Sequence, residues 1–96
     1  MGQSVKIVKR TSIKVDFSGI TQVVNKKGGI DRNYYDENGS QIKQVTNNGH
    51  GNPKKHPYGK KGEHAHDYIY DENGNLIGRP MRELTDEERK ENEDIL

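Results

Sequence analysis

Cysteine and tryptophan are absent from the chain, phenylalanine occurs once, and only 27% of the residues are hydrophobic. Without cysteine the protein has no disulfide bond, which is the support that small domains with a thin core commonly use. A chain of 96 residues is expected to form one domain with a small core. Any support beyond that core must therefore come from a metal ion, a partner or an oligomer.

Long hydrophobic runs are also absent. No segment approaches the roughly 18 consecutive apolar residues of a membrane-spanning helix, and the opening MGQSVKIVKR has no apolar stretch of the kind found in secretory signal peptides. The sequence therefore predicts a cytoplasmic protein that makes no membrane contact.

Charges of the two signs are balanced in number but unevenly placed. Residues 1–32 carry seven basic and two acidic side chains, and residues 47–66 carry four lysines and one glutamate. The last twelve residues carry six acidic and two basic side chains. This distribution favours an anionic partner, such as RNA or another polyanion. The alternative is an ordinary solvated surface that the acidic tail neutralises.

Alternating hydrophobicity predicts a half-buried strand at residues 11–17, where Ile13, Val15 and Phe17 fall on one face. Two weaker strand patterns, SVKIV and ITQVV, lie on either side of it, and the second ends at the breaker NKKGG. We expect the segment 11–17 to be the best defined of the three strands.

A short pattern occurs twice, as YYDENGSQI at residues 34–42 and as YIYDENGNLI at residues 68–77. Each copy predicts a β-hairpin, because its Asn-Gly step supplies the positive φ that a tight turn needs. The tyrosine before each turn and the isoleucine after it are expected to form a cross-strand pair. We expect both hairpins to belong to one sheet.

Thr85 and Glu88 form a capping box in front of an acidic first turn, so a helix is predicted at the C-terminal end. Together these elements predict an α+β fold. It would consist of a small, mostly antiparallel, twisted sheet of four to six strands with a C-terminal helix and a long loop rich in His, Gly and Lys. Residues 1–84 are expected to form the domain, and residues 85–96 an acidic C-terminal helix or tail.

All four histidines lie within HGNPKKHPYGKKGEHAHDY, at residues 50–68. The loop that separates the two hairpins has no periodicity, and so long a loop in a small domain is usually functional or disordered. His64 and His66 are two residues apart just before the second hairpin. On a strand this spacing places both rings on one face.

Two imidazoles on one face could hold a metal ion. His50, His56 or Asp67 could supply a third ligand, although Asp67 would point to the opposite face of a regular strand. Three protein ligands with an open position suit a catalytic zinc, and four suit a structural one. The spacing matches no zinc signature, so we expect no cofactor, and zinc at His64, His66 and His56 stays the alternative.

The same segment also suits metal-free acid–base chemistry on RNA. One imidazole can take the 2′-hydroxyl proton, another can protonate the leaving oxygen, and lysines can hold the phosphate. The candidate catalytic residues are His50, His64 and His66. The candidate substrate-binding residues are Lys54, Lys55, Lys60, Lys61 and Tyr58, the last as a stacking surface for a base. A polar surface loop without chemistry is the remaining interpretation.

The paired YDENG units resemble the tyrosine-aspartate repeats of Rhs-type proteins. The stretch HGNPKKHPYGKKGEHAHDY resembles the histidine-rich ends of small toxin modules found in polymorphic toxins and phage-borne genes. The likeness covers residues 33–79, and it implies a compact α+β domain, often with RNase activity. A protein partner, such as an immunity or phage protein, is the alternative to RNA or another polyanion.

Two functions remain open from the sequence. The first is a small RNase-like or toxin-like domain that acts on RNA through the histidine and lysine loop, as a metal-independent ribonuclease. The second is a non-enzymatic accessory protein of a phage or mobile element that binds a partner through its basic surface. The two functions predict different results when one imidazole is removed. The enzyme should lose its activity, whereas the accessory protein should change little.

Overall fold

The computed structural model describes residues 5–49 and 59–96. Within these ranges the chain is mostly β-sheet, with one short C-terminal helix. The elements are β1 (Val5–Ile7), β2 (Gly19–Val24), β3 (Ile30–Tyr35), β4 (Gln41–Thr46), β5 (His64–Asp67), β6 (Ile69–Tyr70), β7 (Leu76–Gly78), β8 (Met81–Arg82) and α1 (Asp86–Glu91).

Six strands form one sheet in the order β1-β2-β3-β4-β5-β8. The pairing of β1 with β2 is parallel, and the other four pairings are antiparallel. These observations confirm the expected mostly antiparallel sheet followed by a C-terminal helix. Residues 50–58 of the predicted loop lie outside the described residues.

The prediction of a strand at residues 11–17 is wrong. The segment makes a single isolated bridge, between Lys14 and Ser40, flanked by backbone bonds from Val15 N–H to Gly39 O and from Gln41 N–H to Ile13 O. It crosses the end of the first hairpin at that point and does not join the sheet. Its alternating side chains are therefore not buried as a face, and Ile13 is 46% exposed. The weaker patterns on either side contain β1 and β2.

Both predicted hairpins are present, but they do not share a sheet. β3 and β4 lie in the centre of the large sheet, whereas β6 and β7 form a two-stranded sheet of their own. The expected tyrosine–isoleucine pairs are also wrong, because Tyr35 faces Gln41 and Tyr70 faces Leu76. In both hairpins the register shifts beside the tyrosine, so that the isoleucine is left out of the pairing.

The apolar core lies between the sheet and the C-terminal segment. It consists of Val45, Ala65 and Leu84, against which Tyr34 and Leu96 pack. The predicted capping box is present, since the Thr85 hydroxyl accepts from Glu88 N–H and the Glu88 carboxylate accepts from Thr85 N–H. Among the described residues, no helix is long and apolar enough to cross a membrane.

Polar contacts complete the attachment of the C-terminal segment to this face of the sheet. The Arg32 guanidinium makes a paired contact with the Asp94 carboxylate, at 2.6 and 2.9 Å. Glu88 accepts from Lys43 Nζ at 2.9 Å and from both terminal nitrogens of Arg82 at 2.7 and 2.8 Å. Three basic side chains of the sheet thus form ion pairs with two carboxylates of the acidic segment. The division of the chain into a domain of residues 1–84 and an acidic helix or tail of residues 85–96 stays a prediction.

The buried ion pair changes the titration of its carboxylate. Burial alone would raise the pKa of Glu88, but hydrogen bonds from Arg82 and Thr85 N–H outweigh it and hold the pKa well below its ordinary range. Glu88 therefore stays ionised wherever the domain is folded near neutral pH.

Candidate functional site

The two faces of the large sheet differ in composition. In the antiparallel pairings, residues opposite each other share a face, so the register divides the side chains into two sets. One set, with Val45 and Ala65, contacts the C-terminal segment and is called the helix face. The other set is mostly polar and is called the histidine face. Val23, Tyr35 and Met81 share its register, and its polar members are Thr21, Asp31, Asn33, Gln41, Gln44, Thr46, His64 and His66.

Asn33 is the centre of a buried hydrogen-bond network on the histidine face. Its side-chain oxygen accepts from the amides of Gln41 and Gln44, both at 2.9 Å. Its side-chain nitrogen donates to Thr21 Oγ1 at 3.3 Å and to Thr11 Oγ1 at 3.1 Å. Because each buried amide has partners here, the network fixes the side chains of three neighbouring strands in one arrangement.

The prediction that His64 and His66 share one face of a strand is confirmed. Both lie on β5, and their rings meet edge to face with centroids 5.0 Å apart. His64 Nδ1 lies 2.7 Å from Gly62 O, and His66 Nδ1 lies 3.2 Å from Arg79 O. A carbonyl oxygen only accepts, so Nδ1 carries the proton in both rings and Nε2 is the basic nitrogen of each neutral imidazole.

The two rings differ in accessibility. His64 is fully buried, and His66 is half-buried. A molecule that binds to this surface can therefore reach His66 directly, whereas His64 is buried. The arrangement suits His66 as the group that would exchange a proton with a bound substrate.

Asp31 and Thr46 complete the row that contains His64. The three residues are in register across β3, β4 and β5. Among the described residues, Asp31 Oδ1 and Thr46 Oγ1 are buried oxygens with no hydrogen-bond partner. Buried polar atoms normally have partners, so packing of the fold alone does not account for these two oxygens. The sequence analysis missed both residues, because only the strand register brings them beside the histidines.

The predicted metal site is not supported by the described part of the chain. No group of three or more His, Asp or Glu side chains among residues 5–49 and 59–96 could hold a metal ion. Asp67, one of the suggested third ligands, is turned to the helix face, where Arg82 Nε donates to it at 2.7 Å. His56, another suggested ligand, lies outside the described residues.

The other predicted site residues fall into two groups. Lys60 and Lys61 are exposed, and Lys61 Nζ donates to Leu96 O at 3.4 Å. The rest lie outside the described residues: His50, Lys54, Lys55 and Tyr58. The structure therefore brings together two of the three predicted catalytic histidines.

Comparisons of the chain with protein-family models, with curated proteins and with solved structures found no match. The functional interpretation therefore depends on the chemistry of the histidine face and on the charge around it.

Proposed function

We propose that this domain is a small, metal-independent, RNase-like enzyme that acts on RNA through the histidine face. The observation that carries the proposal is the pair of edge-to-face imidazoles on β5. Both have Nδ1 held by a backbone carbonyl, so Nε2 is the nitrogen through which each ring would transfer a proton. The resemblance of the histidine-rich stretch to small toxin modules supports the same activity.

RNA cleavage through the 2′-hydroxyl needs little more than two proton-transfer groups and a positive surface. A neutral imidazole takes the 2′ proton while the 2′ oxygen attacks the phosphorus, and a charged imidazole protonates the 5′ oxygen as its bond to phosphorus breaks. His66 is the imidazole that bound RNA would reach, and His64 or His50 would provide the second. Lysines of the loop would stabilise the charge that develops on the phosphate.

The test is RNA cleavage by the purified protein in excess EDTA, measured over a range of pH. The expected result is cleavage of RNA but not of DNA, with a bell-shaped pH dependence, since one imidazole must be neutral and the other charged. His66→Asn keeps an amide N–H for Arg79 O but cannot transfer protons. It should lower the rate by on the order of a hundredfold or more while the thermal unfolding midpoint stays close to that of the parent.

Met81→Ala is a matched control, because Met81 faces His66 across β5 and β8 but has no acid–base chemistry. It should retain most of the activity. No cleavage by folded protein, in EDTA or with added zinc, would contradict the proposal. Cleavage seen only with zinc would favour a metal site instead.

One observation favours a second candidate, a non-enzymatic accessory protein that binds a partner. His64 is fully buried, with Nδ1 held by Gly62 O, which is the environment of a structural histidine. A binding protein would use its basic surface and not its imidazoles. In that case His66→Asn would leave binding to the partner or to a polyanion unchanged.

A further inference from the structure

Arg79 lies directly beside His66, although it belongs to the segment that follows the second hairpin. His66 Nδ1 lies 3.2 Å from Arg79 O, and Asp67 N–H donates to Pro80 O at 3.1 Å. Proline fixes its own φ and restricts the backbone of the residue before it. The main chain of Arg79 is therefore held against β5, close to the accessible imidazole.

Tyr68 follows His64 and His66 at the same interval of two residues. Its N–H donates to Ile42 O at 2.9 Å, so the pairing of β4 with β5 extends to this residue. Alternate residues of an extended chain point to one face and lie about 7 Å apart. The Tyr68 ring is therefore the neighbour of the His66 ring on the histidine face.

The guanidinium of Arg79 lies over this tyrosine ring. Arg79 Cζ is 5.2 Å from the centroid of Tyr68, which is within the distance of a cation–π contact. Burial raises the pKa of Tyr68, whereas Arg79 and Gln41 act to lower it, so the hydroxyl lies close to both groups. Because Gln41 is a member of the histidine face, the guanidinium lies on the same side of the sheet as His66.

The charge of Arg79 is used differently from that of Arg82, three residues later. Arg82 forms ion pairs with Asp67 and Glu88 and so stabilises the attachment of the helix. In the described part of the chain, no carboxylate forms an ion pair with Arg79, and its side chain is exposed. The second guanidinium thus presents a positive charge at the accessible histidine.

An exposed guanidinium beside a proton-transfer group has the chemistry to bind a phosphate. Arginine stays charged at physiological pH, and its planar fork of N–H donors matches two oxygens of a phosphate group. A positive group next to a reacting phosphate also stabilises the negative charge that develops on it. Stacking on a ring orients the guanidinium before the ligand arrives, so less side-chain freedom is lost on binding.

We propose that Arg79 is a substrate-binding residue that holds a phosphodiester next to the His66 imidazole, and that Tyr68 is the residue that positions its guanidinium. The identification of this phosphodiester as the scissile bond of RNA rests on the proposed function. Arg79, Tyr68 and His66 all lie in the described part of the chain, so the contact does not depend on the lysines of the loop.

The first experiment is an NMR titration of the whole chain, at constant ionic strength, with a 2′-deoxy dinucleotide. This ligand has one phosphodiester and no 2′-hydroxyl, so it binds without being cleaved. The expected result is a saturable shift of the Arg79 Nε–H signal and of the His66 ring signals. The nucleosides of the same bases, which lack the phosphate, should not shift Arg79. Unsaturable shifts, or an equal response of Arg79 to the nucleosides, would overturn the proposal.

Arg79→Gln removes the charge and keeps the carbonyl that holds His66. Because the side chain is exposed, the variant should keep the thermal unfolding midpoint of the parent. It should weaken binding of the dinucleotide by about three- to fivefold, the upper part of the range for an exposed ion pair. Lys90→Gln is the matched control, since it removes one charge from an exposed position on α1, on the other side of the sheet. Equal effects of the two substitutions would show a diffuse electrostatic attraction and no site.

The role of Tyr68 is tested by a conservative and a disruptive substitution. Tyr68→Leu removes the ring under the guanidinium and should weaken binding by about twofold or more, the range for an exposed cation–π contact. Tyr68→Phe keeps the ring and should retain the affinity of the parent. In the background of Arg79→Gln, the change Tyr68→Leu should cause no further loss, since a positioning residue acts through the group that it positions. An equal loss in both backgrounds would overturn the positioning role.

The outcome for Arg79 can be separated from that for the proposed function. If the protein cleaves no RNA but the dinucleotide shifts Arg79 and His66, the phosphate site stands and the RNA identification falls. If the protein cleaves RNA and Arg79→Gln lowers kcat/KM for a short RNA no more than Lys90→Gln does, the assignment of Arg79 falls and the RNase proposal stands.

Discussion

The two hairpins share the sequence Tyr-Asp-Glu-Asn-Gly and build the same turn in different surroundings. In each, the first carboxylate accepts from the backbone N–H groups two and four residues later, as Asp36 does at 2.9 and 3.0 Å and Asp71 does at 2.9 and 2.8 Å. In each, the glycine has positive φ, 79° for Gly39 and 83° for Gly74. The local sequence therefore specifies the turn, whichever sheet the strands belong to.

The surroundings of the two turns differ. The first turn is crossed by residues 13–15, and a Cβ atom on Gly39 would lie within 2 Å of the carbonyl oxygen of Val15. At Gly74 a Cβ atom would meet nothing within 4 Å. Tyr35 is 4% exposed, whereas the strand after the second turn is largely exposed. The same motif is therefore expected to contribute differently to the free energy of folding in the two hairpins.

The largest expected difference concerns the tyrosines. Tyr35 is buried against Phe17, with its hydroxyl bonded to Ser12 O, so Tyr35→Ala should cost about 3–5 kcal/mol, the usual range for removing a buried aromatic ring. Tyr70 is half-buried and donates to Gln41 O at 2.5 Å, so Tyr70→Ala should cost about 1–2 kcal/mol. Urea unfolding of both variants measures the difference.

Tyr35→Phe gives a second comparison if Tyr35→Ala does not fold. It removes only the hydroxyl and should cost about 1 kcal/mol. Equal costs for Tyr35→Ala and Tyr70→Ala would show that the second hairpin supports the domain as much as the first.

The second largest expected difference is between the costs of replacing the two turn glycines by alanine. Alanine in the left-handed region costs about 1–2 kcal/mol, and Gly74→Ala should cost this amount alone. Gly39→Ala adds a collision with backbone and not with a flexible side chain, so we expect a further cost of about 1–3 kcal/mol. Thermal unfolding of the two variants tests this, and a difference below about 0.5 kcal/mol would contradict the close crossing at Val15.

Local signals in the sequence were sufficient for the turns, the capping box at Thr85 and the shared face of His64 and His66, because each depends on residues within a few positions of one another. Residues 11–17 show the limit. Their alternation is that of a strand, but a strand needs a partner along its length, and this segment has only the single bridge from Lys14 to Ser40. The row of Asp31, Thr46 and His64 could not be predicted either, because it depends on the register of three strands.

The smallest expected difference concerns the turn aspartates. Asp36→Ala and Asp71→Ala each remove two backbone hydrogen bonds to a carboxylate in a largely exposed turn, so each should lower the free energy of unfolding by less than Gly74→Ala does. Both carboxylates accept the same two backbone bonds, and the additional bond from Asn75 Nδ2 to Asp71 is long, at 3.4 Å. The two aspartate variants should therefore be nearly equal in stability, whereas the tyrosine and glycine pairs differ. A much larger loss of stability in Asp36→Ala than in Asp71→Ala would show that burial of the first turn, and not its local geometry, determines the strength of these bonds.

The second turn should also respond to acid in a defined direction. Hydrogen bonds from Asn75 N–H and then from the neighbouring N–H groups lower the pKa of Asp71 below its ordinary value. A carboxylate whose folded-state pKa is lowered stabilises the fold fully above its ordinary pKa, near 4, and loses that contribution as the pH falls through the folded value. In an NMR titration the Asp71 carboxyl should therefore show a pKa below its ordinary value, and the Asn75 amide should lose its hydrogen-bonded shift in the same pH range. In Asp71→Asn that transition should be absent, and an Asp71 that titrates at or above its ordinary value would show that the turn does not hold its carboxylate.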